Sequence, residues 1–347
     1  MSGSKAVTIQ QVALAAGVAV STVSRVLNGG YASAASKRRV EEAIGQLGFV
    51  PSVVARNLKL RRTGIVGVVA ATSQAPWFTQ LLGGLEEVLA ERRVSVALGS
   101  LEPHGVYDAT RVADWIRDRR VDGLVFARAG KRERPLVQAA EKAGIPMAFV
   151  VPDLRFRCGL ILVADNVRAG TLAGEHLLRL GHRRFAFYGG PADSVDSKHR
   201  LQGLSGALVA EGLAMRTEHV AFERDYSSDS GVRAARHWLS LPRRAAPTAV
   251  VLGNDAMALG FLRQVQAAGC AVPGAVSVVG FDGVPETGLV WPGLTTVTQP
   301  TQEMGRDACR WLLEAILGEG AGAAEPRRYE MHLLVRESTG APPATSR

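Results

Sequence analysis

A hydroxyl-rich stretch near the N-terminus carries side chains suited to hydrogen bonding at a surface. The stretch VAVSTVSRVLN at residues 18–28 places Ser21, Thr22, Ser24 and Arg25 among small apolar residues. An arginine can donate two parallel hydrogen bonds to a guanine edge, and hydroxyl groups can bond phosphates or base edges. Short neighbouring side chains allow close approach to a groove about 12 Å wide. These residue types therefore fit contact with the major groove of DNA.

The basic charge of the chain is concentrated around that stretch. The 347 residues carry a formal net charge of +9, and residues 1–62 hold nine Lys and Arg against only Glu41 and Glu42. The remaining residues hold 32 basic and 30 acidic side chains. Such an asymmetry is typical of a surface that neutralises phosphates, although a basic face can also be merely solvated.

Two short helices and a tight turn are expected to position these side chains. Thr8 is suited to cap a first helix that ends at Gly17, and a second helix is expected from about Val20 to Leu27. Two helices joined by a short turn that contains glycine form a helix-turn-helix. Ser33 predicts the start of a third helix, whose inward positions are Val40, Ala43, Ile44 and Leu47. The outward positions of the second helix are Val20, Ser21, Thr22, Ser24 and Arg25.

After Thr63 the chain alternates apolar, strand-like runs with helical stretches. A first series contains GIVGVVAA, VSVALGS, VDGLVFA and IPMAFV, and a second contains RRFAFYGG, TAVVLGND and VSVVGFDG. Such alternation predicts βαβ units and parallel sheets. Two series predict two α/β lobes, and ligands in such folds bind outside the carboxyl ends of the strands, here in the cleft between the lobes.

Motifs of several other function classes are absent from the sequence. No G-x-G-x-x-G follows the first strand, and the Walker lysine, G-x-S-x-G and H-E-x-x-H motifs do not occur. Cys158, Cys270 and Cys309 are widely spaced, so neither a disulfide framework nor a zinc site is indicated. His176 and His182 flank a helix end without other metal ligands nearby in sequence. We therefore expect no enzymatic activity, no cofactor and no metal.

The sequence resembles the LacI/GalR family of bacterial repressors. The headpiece pattern of that family, V-A-x-x-A-G-V-S-x-x-T-V-S-R-V-L-N, appears as VALAAGVAVSTVSRVLN, and the likeness continues through VEEAIGQLGFVPSVVARNLKLRRTGIVGVV. Later stretches such as VADNVRAG, LLRLGHRRFAFYGGP and VPGAVSVVGFDG extend it to about residue 339. The resemblance implies a DNA-binding headpiece, a hinge helix and a two-lobed domain like that of periplasmic sugar-binding proteins. Ala19 departs from the family, which usually has a capping Ser there.

The resemblance assigns DNA contacts to individual residues. The base-reading positions are Val20, Ser21 and Arg25, and the phosphate-holding positions are Thr8, Thr22, Ser24 and Asn28. In the hinge, Leu58 and Lys59 would enter the minor groove, with Arg56 beside them. An apolar wedge such as Leu58 unstacks a base step, and the bent DNA then meets more of the protein.

The resemblance also assigns an effector site. Its residues are Trp77, Phe78, Asp165, Ser194, Asp196, Arg200, Tyr226, Asn254 and Asp282. Aromatic faces cover C–H surfaces, and Asp and Arg form charge-assisted hydrogen bonds with hydroxyl groups, which suits a polyol. Alternatively, the two aromatic residues are core residues, and Asp165 and Asp282 cap helices. Ser194 stands where the purine repressor has Arg, so a sugar or sugar acid is favoured over a purine.

These observations predict an all-α headpiece followed by an α/β two-lobed domain. The headpiece is expected at 1–50, the hinge helix and linker at 51–63, and the effector-binding and dimerisation domain at 64–340. The first lobe would comprise 64–164 and 297–325, the second 165–296 and 326–340, and a disordered tail 341–347.

We expect a sequence-specific repressor that binds a near-palindromic double-stranded operator as a homodimer, with its affinity controlled by a small-molecule effector. The polar end RESTGAPPATSR predicts no tetramer-forming zipper. The polar opening MSGSKAVTIQQ and the lack of about 18 consecutive apolar residues predict a cytoplasmic protein that does not enter a membrane. The alternatives are a co-repressor system responsive to a purine or other metabolite, a sugar-binding protein without a DNA role, and a dehydrogenase-like enzyme.

Overall fold

A computed structural model describes residues 7–27, 29–50, 62–71, 75–102, 106–153, 156–319 and 324–343. The chain divides into two units, Met1–Thr63 and Gly64–Arg347. The division follows the change from a basic, helical sequence to alternating strands and helices. Each unit has its own hydrophobic core.

The N-terminal unit consists of three helices, α1 (Ile9–Ala16), α2 (Val20–Leu27) and α3 (Ala34–Leu47). Thr8 caps α1 through a capping box, in which the Gln11 side chain accepts from the Thr8 backbone N–H at 2.8 Å. Gly17 follows α1 with φ of 61°, a left-handed conformation that glycine adopts without a Cβ penalty. The helices enclose a small core formed by Val12, Ala13, Ala16, Val23, Val40, Ala43 and Phe49.

The inward assignment of Leu47 is wrong. Its side chain is 37% exposed, whereas Phe49, two residues later, is buried. The chain reverses at Gly48, which has φ of 62°, and the Phe49 N–H then donates to the Ile44 carbonyl at 3.1 Å. This reversal after the last turn of α3 brings Phe49 onto the core, because a left-handed residue redirects the chain at a helix end.

The C-terminal unit contains two six-stranded sheets. The first part of the chain forms β1 (Ile65–Ala70), α4 (Pro76–Arg92), β2 (Ser95–Ser100), α5 (Thr110–Arg117), β3 (Gly123–Ala127), α6 (Arg134–Lys142), β4 (Met147–Val150) and β5 (Leu160–Ala164). The second part forms α7 (Asn166–Arg179), β6 (Phe185–Gly189), α8 (Val195–Ala210), β7 (Val220–Phe222), α9 (Ser228–Ser240), β8 (Ala249–Leu252), α10 (Asp255–Ala267), β9 (Ser277–Asp282) and β10 (Thr295–Thr298). Short 3₁₀ helices lie at Thr217–His219 and Pro285–Gly288. The chain ends with α11 (Thr301–Leu317), β11 (Arg327–Tyr329) and β12 (His332–Leu334).

The strand orders are β11-β5-β4-β3-β1-β2 and β12-β10-β9-β8-β6-β7, and only β12 runs antiparallel to its neighbour. The chain crosses between the lobes after β5, after β10 and between β11 and β12, and α11 packs on α4 and β4 of the first lobe. The expected lobe boundaries at the end of the chain therefore need correction. β11 pairs with β5 in the first sheet, although 326–340 was assigned to the second lobe, and β10 extends the second sheet to Thr298.

A close contact between α7 and α8 fixes the position of Arg200. A Cβ added to Gly170 would lie 2.0 Å from the Arg200 carbonyl oxygen, and one added to Gly203 would lie 1.9 Å from the Val167 carbonyl oxygen. Only glycine permits such an approach, because any side chain at either position would overlap the facing backbone. The start of α7 consequently lies against the second and third turns of α8, which brings Arg200 next to Asn166.

Buried histidines anchor the end of the chain to the second lobe. The His182 ring, fully buried, makes hydrogen bonds with Thr248 Oγ1 at 2.9 Å, Ser277 Oγ at 3.0 Å and the Gly340 carbonyl at 2.9 Å. His176 contacts Thr339 Oγ1 at 2.9 Å. Both histidines therefore have a structural role, because they bond residues near the end of the chain to the second lobe. Residues 341–343, which the sequence assigned to a disordered tail, are among the described residues, and 344–347 lie outside them.

Within the described ranges, the structure contains no group of three or more His, Cys, Asp or Glu residues placed to hold a metal ion. No single helix of this part of the chain is long and apolar enough to cross a membrane. The helices α1 and α2, which meet at 105°, reach the required length and composition only when they are counted together.

We expect His182 to make the free energy of unfolding depend on pH. Burial holds the pKa of His182 below its ordinary value of 6.5, so its contribution is complete above about pH 6.5 and is lost as the pH falls through the lowered folded-state pKa. His182→Gln should lower the free energy of unfolding at neutral pH by about 1–3 kcal/mol and remove part of the acid-induced loss. Chemical denaturation at several pH values measures both effects, with the exposed His332→Gln as the control. An unchanged acid-induced loss in His182→Gln would contradict this assignment.

Candidate DNA interface and effector cleft

The exposed face of α2 presents the residues assigned to base reading. Val20 is 41% exposed, and Ser21 and Arg25 are also exposed. Thr22 and Ser24, which were also predicted to point outward, are half-buried. The exposed face of α2 is therefore narrower than predicted. Val23, on the opposite side of the helix, is fully buried in the core. The helix therefore offers one methyl-bearing, one hydroxyl and one guanidinium group at its surface, a set that can contact base edges in a major groove.

Thr8, by contrast, uses its hydroxyl group to cap α1, with its Oγ1 accepting from the Gln11 N–H at 3.4 Å. The residue remains exposed, so a phosphate contact stays a prediction. Four further residues assigned to DNA lie outside the described residues: Asn28, Arg56, Leu58 and Lys59.

Arg200 is the central buried charge of the second lobe. Its Nε donates to Asn166 Oδ1 at 2.7 Å, and its Nη1 donates to the Gly253 carbonyl at 2.5 Å. Its Nη2 lies 3.5 Å from Asp282 Oδ1, and the guanidinium covers the Phe281 ring at 4.7 Å. Arg200 thus joins α7, α8, the end of β8 and the end of β9. Asn254, next to Gly253, caps α10 by accepting from the Met257 N–H at 2.9 Å.

A second polar group spans the cleft between the lobes. Arg128, just after β3 of the first lobe, forms an ion pair with Asp196 in the first turn of α8 of the second lobe. Arg128 Nη2 also donates to Ser194 Oγ at 3.3 Å, and its guanidinium lies 5.2 Å from the centre of the Tyr226 ring. Asp153, after β4, lies 3.8 Å from Arg128 and accepts from the backbone of the second lobe.

Hydroxyl groups complete this polar cluster. Tyr226 Oη lies 2.7 Å from Ser194 Oγ and 2.9 Å from Ser197 Oγ. Ser197 Oγ in turn accepts from the Gly190 N–H at 2.9 Å. Asp196 Oδ1 accepts from Asn166 Nδ2 at 2.8 Å, which links the hydroxyl cluster to Arg200.

Burial and neighbouring charges shift the pKa values of these acids in different directions. Burial tends to raise the pKa of Asp196, but the guanidinium groups of Arg128 and Arg200 outweigh it and hold the pKa below its usual range. Burial raises the pKa of Asp153, against the opposing effect of Arg128. Burial also raises the pKa of Asp282 to about 6, although Arg200 and Arg128 oppose the rise.

Asp255 holds the two residues that follow Asp282. Its Oδ2 accepts from the Gly283 and Val284 N–H groups at 2.7 and 2.9 Å, and its Oδ1 accepts from Thr296 Oγ1 at 2.6 Å. Burial and the nearby Asp282 raise the pKa of Asp255. The Asp255 carboxyl group therefore holds the end of β9 next to β10. Because Asp282 lies nearby, its charge affects the pKa of Asp255.

Three residues with strained backbone lie at the carboxyl ends of strands that face the cleft. Arg128, Val151 and Asp282 have φ values of 62°, 43° and 111°, which side chains with a Cβ rarely adopt. Such conformations cost about 1–3 kcal/mol each and tend to cluster at functional sites. Two further residues with positive φ, Arg93 and Arg119, lie after helices of the first lobe, so the strain at the strand ends agrees with a functional cleft but does not identify it by itself.

The structure brings together six of the nine residues assigned to the effector: Ser194, Asp196, Arg200, Tyr226, Asn254 and Asp282. Phe78 is a core residue, 2% exposed, and Trp77 is half-buried against its edge. The same turn of α4 reaches the cleft through Gln80, whose Nε2 donates to the Gly283 carbonyl at 3.3 Å. Asp165 caps α7 by accepting from the Arg168 N–H at 3.0 Å, as the alternative interpretation held.

Sequence reasoning missed four residues of this cluster: Arg128, Asp153, Asn166 and Asp255. Arg128 directly follows the predicted strand VDGLVFA, Asp255 is the last residue of the predicted strand TAVVLGND, and Asn166 follows the possible cap Asp165. These positions at strand and helix ends were the available signal. In parallel sheets the residue after a strand lies at the ligand-binding edge. Asp153 follows the predicted strand IPMAFV by three residues, so its position in the sequence indicated the ligand-binding edge less clearly.

Comparison with known proteins identifies the family. Residues 8–52 match the family described as bacterial regulatory proteins, lacI family, and residues 175–339 match the periplasmic binding protein-like domain. The HTH-type transcriptional regulator CelR of Thermobifida fusca is 35% identical over 344 residues, which span 95% of this chain and 98% of CelR. The chain belongs to the LacI family. The HTH-type transcriptional repressor CytR of Escherichia coli K12 is 32% identical over 97% of this chain and 98% of its own length.

Solved structures of LacI-family proteins share the whole fold. A lac repressor dimer bound to operator and the anti-inducer ONPF has a TM-score of 0.81 at 25% identity, covering 97% of this chain and all of that one. A complex of CelR with cellobiose has a TM-score of 0.70 at 34% identity, covering 96% of this chain and 99% of that one. The predicted fold class is confirmed. This LacI-family chain is a DNA-binding transcriptional regulator under effector control, and its named relatives are regulators and not enzymes.

We expect Arg25→Ala to weaken binding to a specific operator by about 1–3 kcal/mol, because a bidentate contact with a base edge is lost. Binding to a scrambled duplex should change much less, since only one charge is removed there. Fluorescence anisotropy at one salt concentration, on an operator selected from a random library, measures both. Arg38→Ala on α3 removes the same charge from a side chain that is 79% exposed and is the matched control. Equal losses on both duplexes would show that Arg25 contacts only phosphates.

Proposed function

We propose that this protein is a homodimeric repressor whose affinity for a near-palindromic operator is set by a sugar or sugar acid in the cleft. One observation carries the proposal. Arg200, Asp196, Asn166, Tyr226 and Asp282 gather carboxylate, guanidinium, amide and hydroxyl groups in the cleft of a chain that begins with a helix-turn-helix. We place the protein in the cytoplasm, because its operator DNA is there.

The chemistry of the cleft supports a polyol ligand. Sugar hydroxyl groups both donate and accept, and the cluster offers acceptors on Asp196 and Asp282 and donors on Arg200 and Asn166. Trp77, half-buried in the first turn of α4, supplies an aromatic face near the turn that reaches Gly283. A buried polar group left unpaired by an incorrect ligand costs about 1–3 kcal/mol, which gives such a cleft its selectivity.

Contacts across the cleft support control by a shift between two lobe arrangements. Contacts between described residues join the lobes. Arg128 contacts Asp196, Ser194 and the Tyr226 ring, the Val195 N–H donates to Asp153, and Gln80 donates to the Gly283 carbonyl. A ligand between the lobes must replace or rearrange these contacts, so it binds one arrangement more tightly than the other and shifts the population. We propose that the arrangement sets the spacing of the hinge segments 51–63, and thereby their ability to form helices on DNA with Leu58 and Lys59 in the minor groove.

An exposed apolar surface supports the homodimer. Leu289 and Trp291, which precede β10 in the second lobe, are 84% and 78% exposed. The Trp291 carbonyl accepts from Gln266 Nε2 at 2.9 Å, which attaches this loop to α10. Large exposed apolar side chains on a fixed loop are typical of protein–protein contacts. A pair of headpieces related by twofold symmetry would read a near-palindromic operator.

The function is tested by titrating sugars and sugar acids into the protein–operator complex. One compound of the panel should change the operator affinity at fixed salt at least about tenfold, equivalent to about 1.4 kcal/mol of coupling. Arg200→Gln should retain operator binding and lose the response, because Arg200 joins four elements of the cleft. Arg236→Gln, an exposed residue of α9, is the matched control. A protein that binds no specific site, or that responds to no ligand of the panel, would contradict the proposal.

Trp291→Glu should weaken the dimer at least about tenfold, because a charge replaces apolar area that would be buried between two copies. Sedimentation velocity over a concentration series measures this change, and operator affinity should fall with it. Val209→Glu, which places the same charge at a residue of α8 that is 67% exposed, should leave the dimer intact. A wild-type protein that sediments as a tetramer at all concentrations, or a Trp291→Glu variant that dimerises normally, would contradict the assignment.

A further inference from the structure

The ion pair between Arg128 and Asp196 is the main charged contact across the cleft. The two side chains come from different lobes, Arg128 after β3 and Asp196 in the first turn of α8, and they are 23% and 10% exposed. Arg128 is also held by Ser194, Asp153 and the face of Tyr226. Its strained backbone, with φ of 62°, fixes the direction in which the side chain leaves the strand.

Acidic side chains outnumber guanidinium groups in the cleft. Two guanidinium groups, Arg128 and Arg200, face three carboxylates, Asp153, Asp196 and Asp282. In the described part of the chain, every buried side-chain nitrogen and oxygen has a hydrogen-bond partner. Each guanidinium group already has an acidic partner, Asp196 for Arg128 and Asp282 for Arg200.

This acidic excess acts against an anionic ligand. A ligand carboxylate that paired with Arg128 would compete with Asp196, and displacement of Asp196 would leave a buried protein carboxylate without its counterion. An uncharged polyol avoids that displacement, because its hydroxyl groups can bond the remaining lone pairs of Asp196 and Asp282 while both ion pairs persist. The selection therefore depends on the charge of the ligand and not only on its shape.

We propose that Asp196, by pairing with Arg128, is a specificity-determining residue that makes the cleft accept an uncharged sugar and reject the corresponding sugar acid. The inference rests on the proposed function, since it assigns the ligand class of the same cleft. It also narrows that function, because the sugar acids left open by the overall chemistry of the cleft are excluded.

The test compares ligands that differ only in charge. Glucose, galactose, mannose and cellobiose are each titrated beside their uronate and their uncharged uronamide, by calorimetry on the full-length protein. For a sugar that binds, the uronate should bind at least about tenfold more weakly than the uronamide. Asp196→Asn frees Arg128 and should reduce this ratio at least about tenfold, whereas Arg128→Gln should keep or increase it.

Controls separate specificity from folding. Glu175→Gln removes the carboxylate of an exposed ion pair with Arg168 in the same lobe and should leave the ratio unchanged. Circular dichroism melting identifies a variant that fails to fold, in which case Asp196→Ser replaces Asp196→Asn. If both variants fail to fold, the ratio measured for the wild-type protein decides.

Two results would overturn the inference: a wild-type protein that binds a uronate as tightly as its uronamide, or an unchanged ratio in Asp196→Asn. If a uronate binds and also changes operator affinity, the inference fails while the proposed function stands. If no compound binds and none changes operator affinity, both fail together.

Discussion

The burial of one guanidinium group is the constraint on which the cleft depends. Arg200 has a side chain that is 3% exposed, and a buried charge is stable only when it is paired and fully hydrogen-bonded. Its partners come from three other elements: Asn166 from α7, the Gly253 carbonyl from the end of β8, and Asp282 from β9. The chain must therefore fold so that the start of α7 touches the second and third turns of α8. The glycines Gly170 and Gly203 make that contact possible.

Asp282 connects Arg200 to a segment that contacts the first lobe. It lies at the end of β9 with a strained backbone, and Asp255 holds the following residues in place through two backbone N–H groups. Gln80 of the first lobe contacts Gly283, the next residue along the chain. Side chains of both lobes therefore meet at this end of β9. In the described part of the chain, the backbone crosses between the lobes after β5, after β10 and between β11 and β12, so few covalent connections link the lobes.

The two units of the chain differ in how their charges are arranged. The basic excess is confined to the N-terminal fifth, where an unbalanced charge favours association with phosphates. In the cleft, by contrast, both guanidinium groups are paired with carboxylates, so we expect its selectivity to come from hydrogen-bond geometry and ion pairing. This separation lets one chain bind a polyanion through one surface and enclose a small ligand in another.

The sequence by itself determined the helix-turn-helix, the α/β class of the second unit and much of the cleft. Capping at Thr8, the glycine at residue 17 and the alternation of apolar runs are local signals, and local signals decide where helices and strands begin and end. Only the tertiary structure decided which charges meet. Arg128 and Asp196 lie 68 residues apart on different lobes, and β11 joins the first sheet after the chain has left it. Pairing across a cleft depends on how whole lobes pack, and no periodicity within one segment carries that information.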